Sequence, residues 1–179
     1  MMEALMEDCL IRGDSSQLVS VLRKEGMTNG MLTRLAQLVQ KQLSGTAYDK
    51  VAVVLKSLEI LVENKDDLKM LLGLGVISKV LLWFQTLRDV LITNPQRSSA
   101  QLLTLIESFY DFLLLLSQSP LPVTQLSVLL LELLQMVLEP EVPFTLRLEA
   151  IRTFNSILES VSRGQRRRVQ MEHTHMQKM

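Results

Sequence analysis

The chain is poor in the residues that build sheets, disulfides and tight turns. It has one cysteine, Cys9, so no internal disulfide can form, and a single thiol fits a reducing compartment such as cytosol or nucleus. Aromatic residues are 4% of the sequence, although 47% is hydrophobic, so the apolar content is leucine, valine, isoleucine and methionine. That mixture favours helices, because strands draw on β-branched and aromatic side chains. Seven glycines and five prolines in 179 residues leave few turns and long elements. Net charge is also lacking: 19 basic residues balance 19 acidic ones, so the molecule as a whole does not attract DNA or acidic lipid. Near the start, Glu3, Glu7 and Asp8 interrupt the first turns, which argues against a signal peptide.

What is present is helical periodicity between well-marked breaks. Helices are expected at Met2–Ile11, Gln17–Lys24 (capped by Asp14 or Ser15), from a Thr28 or Asn29 cap to Leu43, and at Ala47–Glu63. Further helices are expected at Asp66–Leu72, Val76–Ile92, Ala100–Ser117 (with Ser98 as a cap), Pro122–Leu138 and Thr145–Ser162. Gly164 is expected to break or bend the last of these, with another helix after it. Phe112–Leu131 carries no charge over 20 residues, long enough for a membrane span. Its centre, Ser117-Gln118-Ser119-Pro120-Leu121-Pro122, is a turn, so two buried helices meeting at a corner are expected and no membrane association. Leu55, Leu58, Leu61 and Val62 recur as Phe109, Phe112, Leu115 and Leu116, then as Ile151, Phe154, Ile157 and Leu158. The offsets are 54 and 42 residues, and the second falls in the range of armadillo and HEAT repeats.

Gly73-Leu74-Gly75 admits two readings. A phosphate-binding loop would need a closing Lys-Ser/Thr pair or a third glycine after a strand, and neither is there. The other reading is a turn between helical layers, with Gly73 in the left-handed conformation that ends a helix and Gly75 allowing the next helix to start close to its neighbour. The order of a long helix, a short acid-led helix, Gly-Val-Ile and another long helix resembles an armadillo repeat junction. The expected fold is therefore all-α, an armadillo/HEAT-like right-handed solenoid forming a single domain over residues 1–179. It reads as the N-terminal part of a larger domain, a fragment or short form, with the methionines of the tail (Met171, Met176, Met179) awaiting a missing neighbour.

Two segments carry a narrower resemblance. Leu74-Gly75-Val76-Ile77-Ser78-Lys79-Val80-Leu81-Leu82-Trp83-Phe84 resembles the Gly-Leu-…-Lys-Met-Val-x-Trp-Phe segment of the synaptonemal complex protein 2 family. Leu105-Ile106-Glu107-Ser108-Phe109-Tyr110-Asp111-Phe112-Leu113-Leu114-Leu115 resembles that family's Met-Ile-Glu-Asp-Leu-Val-Asp-Leu-Leu-Leu segment. The resemblance implies the N-terminal armadillo-like domain of a nuclear, chromosome-bound protein of meiosis. It implies a scaffold of the synaptonemal complex lateral element or the centromere, with chromosome-axis or centromere proteins as partners. A general armadillo/HEAT-like adaptor in a non-meiotic complex is the alternative.

Chemistry-bearing residues are few. His173 and His175 are two apart and so face different sides of a helix, with no third ligand nearby; no metal and no cofactor is expected. Cys9 lacks a neighbouring base and reads as a packed or half-exposed thiol. Glu107 and Asp111, four apart, read as a solvated pair, so no enzyme and no small-molecule substrate is expected. The strongest charge feature is Arg163, Arg166, Arg167 and Arg168, in a tail from Arg163 onward that has five basic residues and one acid. These arginines are the candidate contact to an acidic partner, or weakly to DNA, alongside a solvated helix end. Trp83 is the candidate aromatic anchor for a partner, with a core position as its other reading; Phe84 is assigned to the core.

Overall fold

The computed structural model describes the backbone of residues 2–45, 47–93, 100–118 and 121–177, and side chains from 4 to 163 within those ranges. The described residues form nine helices: α1 (Met2–Arg12), α2 (Ser15–Glu25), α3 (Asn29–Ser44), α4 (Tyr48–Val62), α5 (Lys65–Gly73), α6 (Val76–Thr93), α7 (Ala100–Ser117), α8 (Val123–Leu138) and α9 (Phe144–Gln177).

Local chemistry sets the helix starts. The first turn of a helix has unpaired N–H groups, and a short polar side chain ahead of it can accept from them. Asp14 accepts from the Gln17 N–H at 3.0 Å, and Thr28 from that of Met31 at 3.2 Å. Asn64 accepts from Asp66 in the same way at 3.0 Å, opening α5 one residue before the expected start. The expected Ser98 cap lies outside the described residues.

The helices stack as two ladders. One runs α1, α3, α6, α8 and the other α2, α4, α7, α9, each helix packing on the next of its own ladder. Rungs α1–α2, α3–α4, α6–α7 and α8–α9 join the two, and α5 sits between α4 and α6. This is the all-α, armadillo-like arrangement, and it explains the sequence recurrence. Leu58, Phe112 and Ile157 are fully buried on α4, α7 and α9, three successive members of one ladder. Residues in equivalent places meet equivalent neighbours, so the same apolar spacing returns.

The core is continuous from Met6 on α1 to Ile157 on α9. Its aromatic centre lies between α6 and α7, where the Phe84 ring is 6.2 Å from Phe109 and 5.8 Å from Tyr110. The Tyr110 hydroxyl donates to the Leu146 carbonyl at 3.1 Å, tying α7 to the start of α9. Burial pushes the Tyr110 phenol well above its usual range, with the carboxylates of Glu149 and Glu107 adding to the shift. The uncharged run around Ser117–Pro122 is divided, α7 ending at Ser117 and α8 beginning at Val123. Among the described residues α7 is the one unbroken helix long and apolar enough to cross a membrane, the pair α5 and α6 reaching that length only across its 76° bend; half of α7 is buried inside this fold, against α4 and α9 among others.

Two glycine assignments change. Gly73 is the last residue of α5, and the left-handed residue is Gly75, at φ +79°. A Cβ at Gly75 would meet nothing within 4 Å, so close helix approach is not why glycine stands there; backbone sign is. Through it the chain bends 76° from α5 into α6. Gly164 neither ends nor restarts a helix, since α9 runs through it to Gln177. One glycine costs a helix only about 1 kcal/mol, and the flanking residues are good helix formers.

A candidate protein-interaction surface

Trp83 is 1% exposed, in the core beside Phe84 on α6. As an anchor for a partner it is therefore withdrawn: a side chain with no surface cannot be a contact. Its position explains this, since Val76, Val80, Trp83 and Leu87 repeat at helical spacing along one buried face. Arg163 is exposed near the middle of α9 and pairs with Glu159 at 3.3 Å, one turn earlier. The side chains of Arg166, Arg167, Arg168, His173 and His175 lie outside the described residues. Among the described residues no group of three or more His, Cys, Asp or Glu is placed to hold a metal ion. Cys9 is fully buried, and burial pushes its thiol up, with Arg12 partly offsetting.

One polar cluster escaped the sequence reading. Arg88 on α6 donates to Glu132 on α8 at 2.6 Å, and Gln85 Nε2 donates to the other carboxylate oxygen at 2.6 Å. The side chains are only 14% and 6% exposed. Glu132 is the sole charge in α8, within the run Leu129-Leu130-Leu131-Glu132-Leu133-Leu134. That isolation was the available signal: a lone carboxylate on an apolar helix needs a partner. The cluster joins α6 to α8 and reads as a tie between layers.

Among the described residues, the seam between α4 and α7 is a surface that can receive a ligand. The two helices lie in the same direction, as their grooves show. The first halves of both, with Tyr48, Ala52, Thr104 and Ser108, line a hollow of about 280 Å³. Their last turns join α5 around a larger groove of about 690 Å³, lined by Val62, Leu68, Leu72 and Leu115. Lys65 and Lys69 stand on its α5 rim and Glu63 on its α4 rim. Between the hollows lie Glu59 of α4 and Asp111 of α7. Burial raises the Glu59 carboxyl, and the charges of Asp111 and Glu63 raise it further while Lys56 opposes them. Glu107 and Asp111 are both exposed, as expected of a solvated pair.

A second feature is apolar. Val128, Leu131, Leu134 and Leu138 on α8, and Phe144, Ile151 and Leu158 on α9, are exposed. The three on α9 are seven apart and so share one stripe, with Phe144 at 76% exposure.

Comparison with known proteins gives a consistent result. The synaptonemal complex 2 armadillo-repeat-like domain matches residues 2–165. A synaptonemal complex protein 2-like protein of Xenopus laevis is 33% identical over 143 residues, covering 78% of this chain and 14% of the relative. One from Mus musculus is 27% identical over 143 residues, covering 78% of this chain and 17% of the relative. The chain thus spans less than a fifth of the length of these relatives. No solved structure matches it.

Proposed function

Because the chain belongs to the synaptonemal complex 2 armadillo-repeat-like domain family, we propose that it is a non-catalytic scaffold of the meiotic chromosome axis. In this reading it works at the lateral element or the centromere, in the nucleus, and binds partner proteins through its helical-repeat surface. The whole chain serves as one armadillo-like domain.

The observation that carries this is the double ladder with an open seam. Stacked helices build a long surface in which each layer adds area without closing a cavity around a substrate. The seam offers apolar hollows with charged rims, a pattern suited to a polypeptide. It gathers carboxylates and lysines, with no nucleophile–base pair among the described residues lining its two hollows. The fold alone would serve many cellular settings, so the meiotic assignment rests on the family.

Affinity capture from meiotic nuclear extract, with the tagged chain as bait, tests the proposal. A Leu58→Asp bait, which puts a charge at a fully buried site, controls for sticking by unfolded protein. Axis or centromere proteins recovered by the folded bait alone support the scaffold. Recovery only of coat or cytosolic complexes refutes the meiotic assignment and favours a general armadillo-like adaptor.

A further inference from the structure

The stretch of seam running from the smaller hollow to the larger groove has a definite electrostatic setting. Asp49, Glu59 and Glu63 recur along the α4 face that borders α7, and Asp111 lies on the α7 face opposite them. Against these four carboxylates the α4 face sets one cation, Lys56. Among the described residues none of the four is in a salt bridge, whereas Asp8, Asp67, Glu132, Glu149 and Glu159 all are. Lys65 and Lys69 belong to the far rim, across the groove on α5. Lys56 offsets part of the repulsion that Asp111 and Glu63 exert on Glu59, and four carboxylates against one cation leave the α4–α7 face with an excess of negative charge.

We infer that the α4–α7 seam docks a short basic segment of a partner protein, with an aliphatic side chain in the groove of Val62, Leu68, Leu72 and Leu115 and Arg or Lys side chains over Glu59 and Asp111. This rests on the scaffold reading and specifies its surface. The dimensions fix the length. Asp49 to Glu63 along α4 covers about 20 Å at the helical rise, which an extended chain crosses in about six or seven residues. Side chains alternate in an extended chain, so the basic residues on one side fall two apart and the apolar anchors flank them. Recognition of this kind trades stability for binding: burial of the Glu59 carboxylate weakens the free fold, and a cation docked over it offsets that. Binding is accordingly sensitive to salt, since the charges are partly exposed.

A fluorescein-labelled probe of about seven residues, leucine at each end with arginine at the third and fifth positions, tests this against a twin carrying glutamate at those positions. Fluorescence anisotropy with the full chain is read from about 50 to about 500 mM NaCl. The expected result is binding of the arginine probe that weakens with salt and is at least about tenfold tighter than that of the glutamate probe. Glu59→Lys/Asp111→Lys should reverse the preference. The milder Glu59→Gln should weaken the arginine probe while raising the melting temperature, an opposition that a damaged fold cannot produce. Absence of binding, equal binding of the two probes, or indifference to both variants overturns the inference. Self-association in sedimentation velocity that Glu59→Lys/Asp111→Lys abolishes also overturns it, by making a second copy the occupant. Should the capture experiment recover the same chromosomal proteins with Glu59→Lys/Asp111→Lys as with the native bait, the seam assignment fails and the scaffold reading stands.

Discussion

Arg88→Met isolates the buried tie between α6 and α8. Methionine keeps an apolar stem against the core and removes the guanidinium. The Glu132 carboxylate then retains one neutral donor, Gln85 Nε2 at 2.6 Å, at a side chain that is 6% exposed. Breaking a buried ion pair from one side costs roughly 3–5 kcal/mol, because the remaining charge cannot be solvated. The surviving Gln85 bond places this case at the low end, about 3 kcal/mol. For a chain of this size that is a fall in melting temperature of roughly 6–12 °C. Removing both partners should be far milder. Arg88→Met/Glu132→Leu leaves no stranded charge and adds apolar contact, so it should lie within about 1 kcal/mol of the native chain or above it. Urea and thermal melts followed by far-ultraviolet circular dichroism measure all three proteins. The reasoning is refuted if Arg88→Met costs less than about 1 kcal/mol, or if the double variant is as unstable as the single one.

Other expectations follow from single positions. Gly75→Ala should destabilise by about 1–2 kcal/mol because of its positive φ, whereas Gly73→Ala, in helix and with open space around its Cβ, should be neutral or gain up to about 1 kcal/mol; urea melts separate them. Tyr110 has a raised phenol in the folded state, so its contribution is complete below the unfolded value of about 10 and is lost as pH rises from there towards the folded value. Melts across that alkaline range should show the loss, and Tyr110→Phe should flatten it while costing about 1 kcal/mol near neutrality through the missing bond to the Leu146 carbonyl. Cys9 should resist a thiol reagent in the native protein and react fully in urea, because its thiol is both buried and held in the neutral form; rapid native reaction would show that α1 opens readily.

The sequence exposes whatever depends on neighbours along the chain. Helix periodicity, the caps at Asp14 and Thr28 and the turn at Gly73–Gly75 are all local, and their positions were readable to within a residue or two, except the end of α9, which was expected at Ser162 and lies at Gln177. The recurrence of Leu55–Val62 at Phe109–Leu116 showed more, since it marks two helices that lie side by side in one ladder. What could not be read depends on packing across the chain. Trp83 shares a stripe with Val76, Val80 and Leu87, but how completely so large a side chain is covered depends on the layer packed over it. Which glycine takes the positive φ depends on the bend demanded between α5 and α6, not on the Gly-x-Gly pattern. Glu132 and Arg88 stand 44 residues apart, and nothing in either segment names the other. The seam is hardest of all, because its carboxylates look like ordinary solvent-facing charges until α4 and α7 are laid together.

The common direction of α4 and α7 gives that seam a polarity. Each helix carries a partial positive charge at its start and a partial negative charge at its end, and two helices laid the same way add rather than cancel. The edge holding Tyr48 and Ala100 is therefore the electropositive end of the furrow, and the edge holding Val62 and Ser117 the electronegative end. Lys65 and Lys69 stand beside the latter, where cations are welcome. A track with unlike ends distinguishes a chain threaded forwards from the same chain threaded backwards, so the vector of whatever lies in it is set before any side chain is recognised.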